Sequence, residues 1–254
     1  MPLAIDSAWL VLVLLVSLRI APLFFMAPVF GSVPAPNLFR VGLIVALAAS
    51  LVTATGLSLP AAPSGLTGVI ALGAGELVIG AAFAFGLAAA FAAFLFAGRL
   101  LDFQLGFGIA NLIDPVSRTQ APLIGTGLNL LALTLFFVLD GHHLLLRALA
   151  FSLEHFPPGR ALGELNFAAI GAQFGVMFTL GLALAAPTLL AVLLLDVGFA
   201  VASRTMPQMN VFIVAIPFKI ALGLLVLALS LRYMGAATLK VFESLPRYWS
   251  TLFS

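Results

Sequence analysis

The chain has 254 residues, of which 63% are hydrophobic and only 8% are Asp, Glu, Lys or Arg, against roughly 25% charged residues in an ordinary soluble domain. Its 11 basic and 9 acidic side chains are too few to cover a water-soluble fold of this size, and the mean hydropathy is +1.24. This excludes a globular enzyme in water, a disordered tail and, with a net charge of only +2, a nucleic-acid binder; a polytopic, all-α membrane protein remains.

Six hydrophobic segments follow one another, at roughly 7–30, 38–58, 66–98, 122–153, 164–199 and 211–243, each long enough for a bilayer span of about 20 residues. The first opens with the apolar run Ala8–Val16 after Asp6, with no basic stretch before it, so it reads as a retained helix rather than a cleaved leader. It carries Arg19, and Pro22, Pro28, Pro34 and Pro36 break up the connection to the second segment. From Val41 to Gly75 there is no charge and no alternation, and Leu165–Leu195 is likewise uncharged; a membrane β-barrel would alternate apolar and polar residues. The third segment would reach roughly 50 Å at about 1.5 Å per residue, so it must tilt, bend or leave the bilayer. It holds Glu76, the spacing Gly80-x-x-x-Ala84 and the run Ala88–Ala93, which permit close helix approach. The fourth contains Asp140-Gly141-His142-His143 and then Arg147; the fifth contains Gly171-x-x-x-Gly175, Pro187 and Asp196; the sixth contains Pro217 and Lys219. The small-residue spacings point to internal packing ahead of a subunit interface. The interior prolines are read either as ordinary kinks or as bends that curve a helix around a pore.

Charge does not orient these segments. Arg40, Arg99, Arg118 and Arg204 fall on one set of connections and Arg160, Arg232, Lys240 and Arg247 on the other. A simple multispan protein shows a bias, and the balance points to segments that are not a standard set of lipid-embedded spans. No internal repeat is visible, and the halves lack the paired interruptions of an inverted-repeat transporter.

Polar residues gather in few places. The connection Gly98–Pro122 holds Asp102, Gln104, Gly106, Gly108, Asn111, Asp114 and Arg118 among Phe103, Phe107, Ile109, Leu112 and Ile113. Gly106 and Gly108 free the backbone, and Asp114-Pro115 disfavours a continuing helix. So apolar a loop belongs inside protein or along a cavity, either as packing or as a plug. Asp196 and Lys219 lie at comparable depth if the last two segments form a hairpin, and they form a candidate buried charge pair. His142 and His143 are adjacent and do not share a helix face. Without H-E-x-x-H spacing they read as part of a helix-end ion pair, not a zinc hydrolase. Cys is absent, and so are G-x-S-x-G, P-loop and dinucleotide fingerprints. No catalytic residue, cofactor or metal site is expected. A multispan transporter binding a small substrate near Asp102, Asn111 and Asp114 is the alternative, and a membrane enzyme using His142 or His143 a weaker one.

Several fragments, in order, resemble one family. They are Arg19–Gly31 followed by Val33-Pro34, Glu76–Gly86, the stretch from Ala97 to Asp114-Pro115, Asp140–Leu146, and Arg204–Phe212 followed by Phe218-Lys219. Together they resemble the FliR/SctT family of flagellar and type III secretion export-gate proteins over nearly the whole chain. The resemblance implies a subunit of a helical export-gate assembly, built from long kinked helices in hairpins. Residues 1–190 would be FliP-like and 191–254 a FliQ-like hairpin. FliP-like and FliQ-like subunits, a FlhB-like switch protein, unfolded export substrates and membrane lipid would be its partners. It would sit in the bacterial inner membrane within the flagellar basal body, the assembled core projecting toward the periplasm. The plug of the closed pore would map to Gln104–Pro115, with Phe107, Ile109, Leu112 and Ile113 at the constriction. Apolar constrictions gate by dewetting.

Overall fold

The computed structural model describes residues 7–31, 35–58, 65–107, 122–159, 165–205 and 211–254. Every regular element among them is an α-helix: α1 (Ser7–Met26), α2 (Pro28–Gly31), α3 (Asn37–Thr55), α4 (Gly65–Leu105), α5 (Leu123–Val138), α6 (Gly141–His155), α7 (Ala168–Thr205) and α8 (Val211–Leu252). Five of them are long and apolar enough to cross a membrane, and six spans result if α5 and α6 count as one broken span.

Two of the expected segments are interrupted, each for a local reason. The first breaks at Ala27, because Pro28 has no N–H to continue the helix but suits the first position of a new one. Phe24 and Phe30 stack across the break with ring centroids 4.2 Å apart. The fourth breaks at Asp140, whose φ of +55° is left-handed, a conformation Asp tolerates better than most residues. Gly141 beside it has no room for a side chain, since a Cβ there would overlap the Phe136 ring.

Three other segments run past their expected ends, the fifth by continuing from residue 199 to Thr205 in α7. α4 continues beyond Gly98 to Leu105, giving 41 residues and roughly 60 Å. Gly98 is tolerated because a Cβ on it would overlap the backbone of Gly125, so α4 and α5 cross in backbone contact. α8 continues beyond residue 243 to Leu252, through Glu243 and Arg247.

The chain divides into two compact units. The first comprises Met1–Ala89, Phe136–Phe174 and Ser244–Ser254. Its core takes Leu15, Val16, Ile20 and Leu23 from α1, and Ile44, Ala48 and Val52 from α3, the last three at the four-residue spacing of one helix face. α1 packs on α3 and also on α4, where a Cβ on Gly80 would overlap the backbone carbonyl of Arg19. The end of α8 closes this core. Trp249 stacks on Phe83 with centroids 4.7 Å apart and donates its indole N–H to the Phe83 carbonyl at 3.1 Å, while the Tyr248 hydroxyl donates to the Ala82 carbonyl at 2.5 Å. Both aromatics thus bury a large apolar area with the polar atom satisfied. Gly86 makes room, because a Cβ there would overlap the Tyr248 ring.

The second unit comprises Ala90–Leu135 and Gly175–Glu243. Phe91 and Phe94 of α4 meet Phe242 of α8, each pair with centroids 6.1 Å apart, and Phe96 meets Phe178 of α7 at 5.0 Å. Glycines again set close approach: Gly181 lies against Ala93, and Gly223 against Leu105. The facing ends of α7 and α8 touch through Phe199 and Phe218, as a hairpin requires. The spacing Gly171-x-x-x-Gly175 departs from expectation. Both glycines are exposed, and added Cβ atoms would meet nothing, so this pair does not serve internal packing among the described residues. The expected boundary near residue 190 falls inside the continuous α7.

Candidate functional site

The polar residues singled out by the sequence lie at three places. In the second unit, α4 ends at Gly106, whose φ of +84° is available to glycine at no steric cost and whose N–H donates to the Phe103 carbonyl at 3.2 Å. One turn earlier stands Asp102, 7% exposed. Its two carboxylate oxygens accept the backbone N–H groups of Ile124 and Gly125, each at 3.0 Å. Asp102 therefore caps the start of α5 from a different helix, satisfying amides that the helix itself leaves unpaired. Each oxygen thus has a structural partner, and the burial of Asp102 fits this capping role.

Gln104, half-buried on the last turn of α4, donates from Nε2 to Oδ2 of Asp196 at 3.2 Å. The other Asp196 oxygen, Oδ1, receives Lys219 Nζ at 2.5 Å. Asp196 and Lys219 keep 31% and 25% of their side-chain surface, so the pair is partly open and not fully buried. Three helices, α4, α7 and α8, each supply one member of this network. Phe107 is half-buried, and Phe103 is 82% exposed. The remaining residues of the expected plug, Gly108, Ile109, Asn111, Leu112, Ile113, Asp114 and Pro115, lie outside the described residues.

The first unit holds a charge cluster that the sequence reading missed. Arg19 of α1 and Glu76 of α4 are 1% and 2% exposed, with Nε donating to Oε2 at 2.5 Å. Arg19 Nη1 also donates to the Ser152 carbonyl and hydroxyl, both at 3.1 Å, and to the Phe156 carbonyl at 2.8 Å. These carbonyls belong to the last turn of α6 and its cap, where a cation complements the helix dipole. One guanidinium thus ties α1, α4 and α6 together. The signal was present in the sequence, as Arg19 and Glu76 are opposite charges inside apolar segments. What was absent was any measure of the distance between residues 57 positions apart.

The third place is the break between α5 and α6. His143 Nδ1 lies 3.3 Å from Asp140 Oδ1, both side chains well exposed, as a helix-end pair should be. His142 and His143 come closer than adjacent helical positions suggest, with ring centroids 4.1 Å apart. They occupy the first turn, where no preceding turn separates the rings.

Residues 10–245 match the family described as "Bacterial export proteins, family 1". The chain is 31% identical over 234 residues to the "Flagellar biosynthetic protein FliR" of Bacillus subtilis (strain 168), covering 91% of this chain and 90% of the relative. It is 29% identical over 224 residues to the protein of the same name from Escherichia coli (strain K12), covering 87% and 84%. The "Secretion system apparatus protein SsaT" of Salmonella typhimurium is 29% identical over a shorter stretch of 161 residues, covering 63% of this chain and 62% of the relative.

Proposed function

Because the chain belongs to the bacterial export protein family 1, the FliR/SctT family, we propose that it is a core subunit of the flagellar type III protein export gate. The longer coverage by flagellar relatives than by the secretion relative favours the flagellar branch. The relatives carry the names of biosynthetic and apparatus proteins, and the family is one of structural export components rather than enzymes. In this reading the subunit joins FliP-like and FliQ-like chains and a FlhB-like switch protein around a channel for unfolded substrates. It resides in the bacterial inner membrane, with the core projecting toward the periplasm. Residues 1–190 play the FliP-like part, 191–254 form the FliQ-like hairpin, and the loop from Gln104 to Pro115 plugs the closed pore.

One observation carries the reading beyond the family. α7 and α8 have 38 and 42 residues, well beyond the roughly 20 that cross a bilayer. Yet the most apolar windows of these helices are only 28% and 17% buried. Leu190, Leu194, Val201, Leu225 and Leu229 are each at least 58% exposed. Helices this long cannot lie wholly in hydrocarbon unless steeply tilted, so neighbouring subunits are the natural cover for the remainder. By contrast, the window in α4 is 67% buried within the chain itself.

The test is co-purification from membranes. The tagged chain is expected in a large complex with FliP-like and FliQ-like subunits; a stable monomer or dimer that retains a small solute would favour the transporter instead. The plug is tested separately. Deleting Gly106–Asn111 should make the closed complex conduct ions or small solutes, and unchanged tightness would remove the plug assignment while leaving the subunit assignment in place.

A further inference from the structure

The break between α5 and α6 brings together three metal-ligating side chains that the sequence reading took for part of a helix-end ion pair. Asp140, His142 and His143 each present one ligand atom, and these atoms lie within 4.8 Å of one another, a separation that one ion can bridge by modest rotamer adjustment. Asp140 supplies its carboxylate from the left-handed position just before the helix. The two imidazoles follow on the first turn. His143 and Asp140 are already 3.3 Å apart and reachable from solvent. His142 is partly buried beside Phe137, and its Nδ1 is shut off from solvent with no hydrogen-bond partner among the described residues. The protein around His142 therefore leaves the polar demand of the ring unmet.

We propose that Asp140, His142 and His143 form a binding site for a divalent transition-metal cation of the zinc class. Two imidazoles and one carboxylate make a donor set that suits Zn2+ and its first-row neighbours and is poor for Mg2+, which prefers oxygen ligands and retained water. The amino end of α6 disfavours a bare cation, and the Asp140 carboxylate offsets that charge. Three protein ligands leave one tetrahedral position for water or for a side chain of a neighbouring subunit. Bound there, the ion would fasten Asp140 to the first turn of α6 and stiffen the break. The proposal is independent of the export-gate reading, and its failure would leave that reading intact.

The full-length chain is purified in detergent within its complex, with a tag free of histidine, stripped with chelator and titrated with ZnCl2 and, separately, MgCl2. Zn2+ should bind at one equivalent per chain and Mg2+ should not. His142→Ala and His143→Ala should each weaken Zn2+ binding by about tenfold or more. His155→Ala, which changes the third histidine of the chain, should leave it unchanged. Absence of Zn2+ binding, or equal binding by the double His142→Ala/His143→Ala variant, overturns the proposal. A gain-of-signal variant covers the case in which the alanine variants fail to assemble. The chain has no cysteine, so His143→Cys loaded with Co2+ should show a thiolate-to-cobalt charge-transfer band that the parent lacks. An assembled His143→Cys complex without that band also overturns the site.

Discussion

Each of the two units holds an ion pair joining different helices, and the two pairs are built differently. In the first unit Arg19 and Glu76 are almost completely buried, and the guanidinium has three further acceptor contacts at the end of α6. In the second, Asp196 and Lys219 keep a quarter to a third of their surface, with Gln104 as the additional partner. A charge withdrawn from water is tolerated only when its partner and the surrounding hydrogen bonds replace hydration, and the Arg19 cluster provides most of them within one chain, through Nε and Nη1, while Nη2 has no partner among the described residues. The Asp196 network is left partly open, so water can supply part of the solvation that the Arg19 cluster must find in protein. One pair is sealed within its unit, and the other is left partly exposed.

The comparison can be broken by substitution. Removing one member of the Arg19–Glu76 pair leaves an uncompensated buried charge, so Arg19→Ala or Glu76→Ala should each cost about 3–5 kcal/mol, seen as a large fall in thermal denaturation temperature in detergent. The double variant Arg19→Leu/Glu76→Leu should recover much of that loss, because an apolar pair has no charge to strand. If the double variant were as unstable as the singles, packing rather than charge would be the cause. A smaller effect is expected at the open pair: Lys219→Asp should cost on the order of 1–2 kcal/mol and disrupt assembly, measured by size-exclusion of the complex. Adding Asp196→Lys should restore assembly, and no rescue would argue that the two side chains are not a functional pair. Smallest is Asp102→Ala, which removes the cap on α5 at a cost of about 1 kcal/mol. Hydrogen exchange at the amides of Ile124 and Gly125 should then quicken while the first unit stays unchanged.

How much of this was legible depends on the range of the force involved. The long helices were, because twenty apolar residues in a row leave few alternatives. Pro28 was read as breaking up the first connection although the segment was drawn on to residue 30, and Asp140 was read as part of a helix-end pair although the fourth segment was drawn straight through it. The overruns of α4 and α8 were not legible. Arg99 and Asp102, or Glu243 and Arg247, look like helix ends, and only the crossing of Gly98 on Gly125 and the seating of Trp249 on Phe83 explain why the helices go on. At the candidate site, Asp196 and Lys219 were paired by counting back from an assumed hairpin. Arg19 and Glu76 were not paired, because their segments are joined through another helix and no count gives their depth. His142 and His143 were separated by their positions on a helix, yet their rings lie 4.1 Å apart.

The closure of the first unit by Tyr248 and Trp249 has a consequence for biosynthesis. The wall of α4 that receives these rings is made early, and the rings themselves exist only once the ribosome has added residues 248 and 249. Until then Phe83, Gly86 and the neighbouring face of α4 wait without their permanent cover, while α7 and most of α8 are still being inserted. The order of synthesis thereby makes the moment of seating Trp249 the point at which the first unit becomes complete.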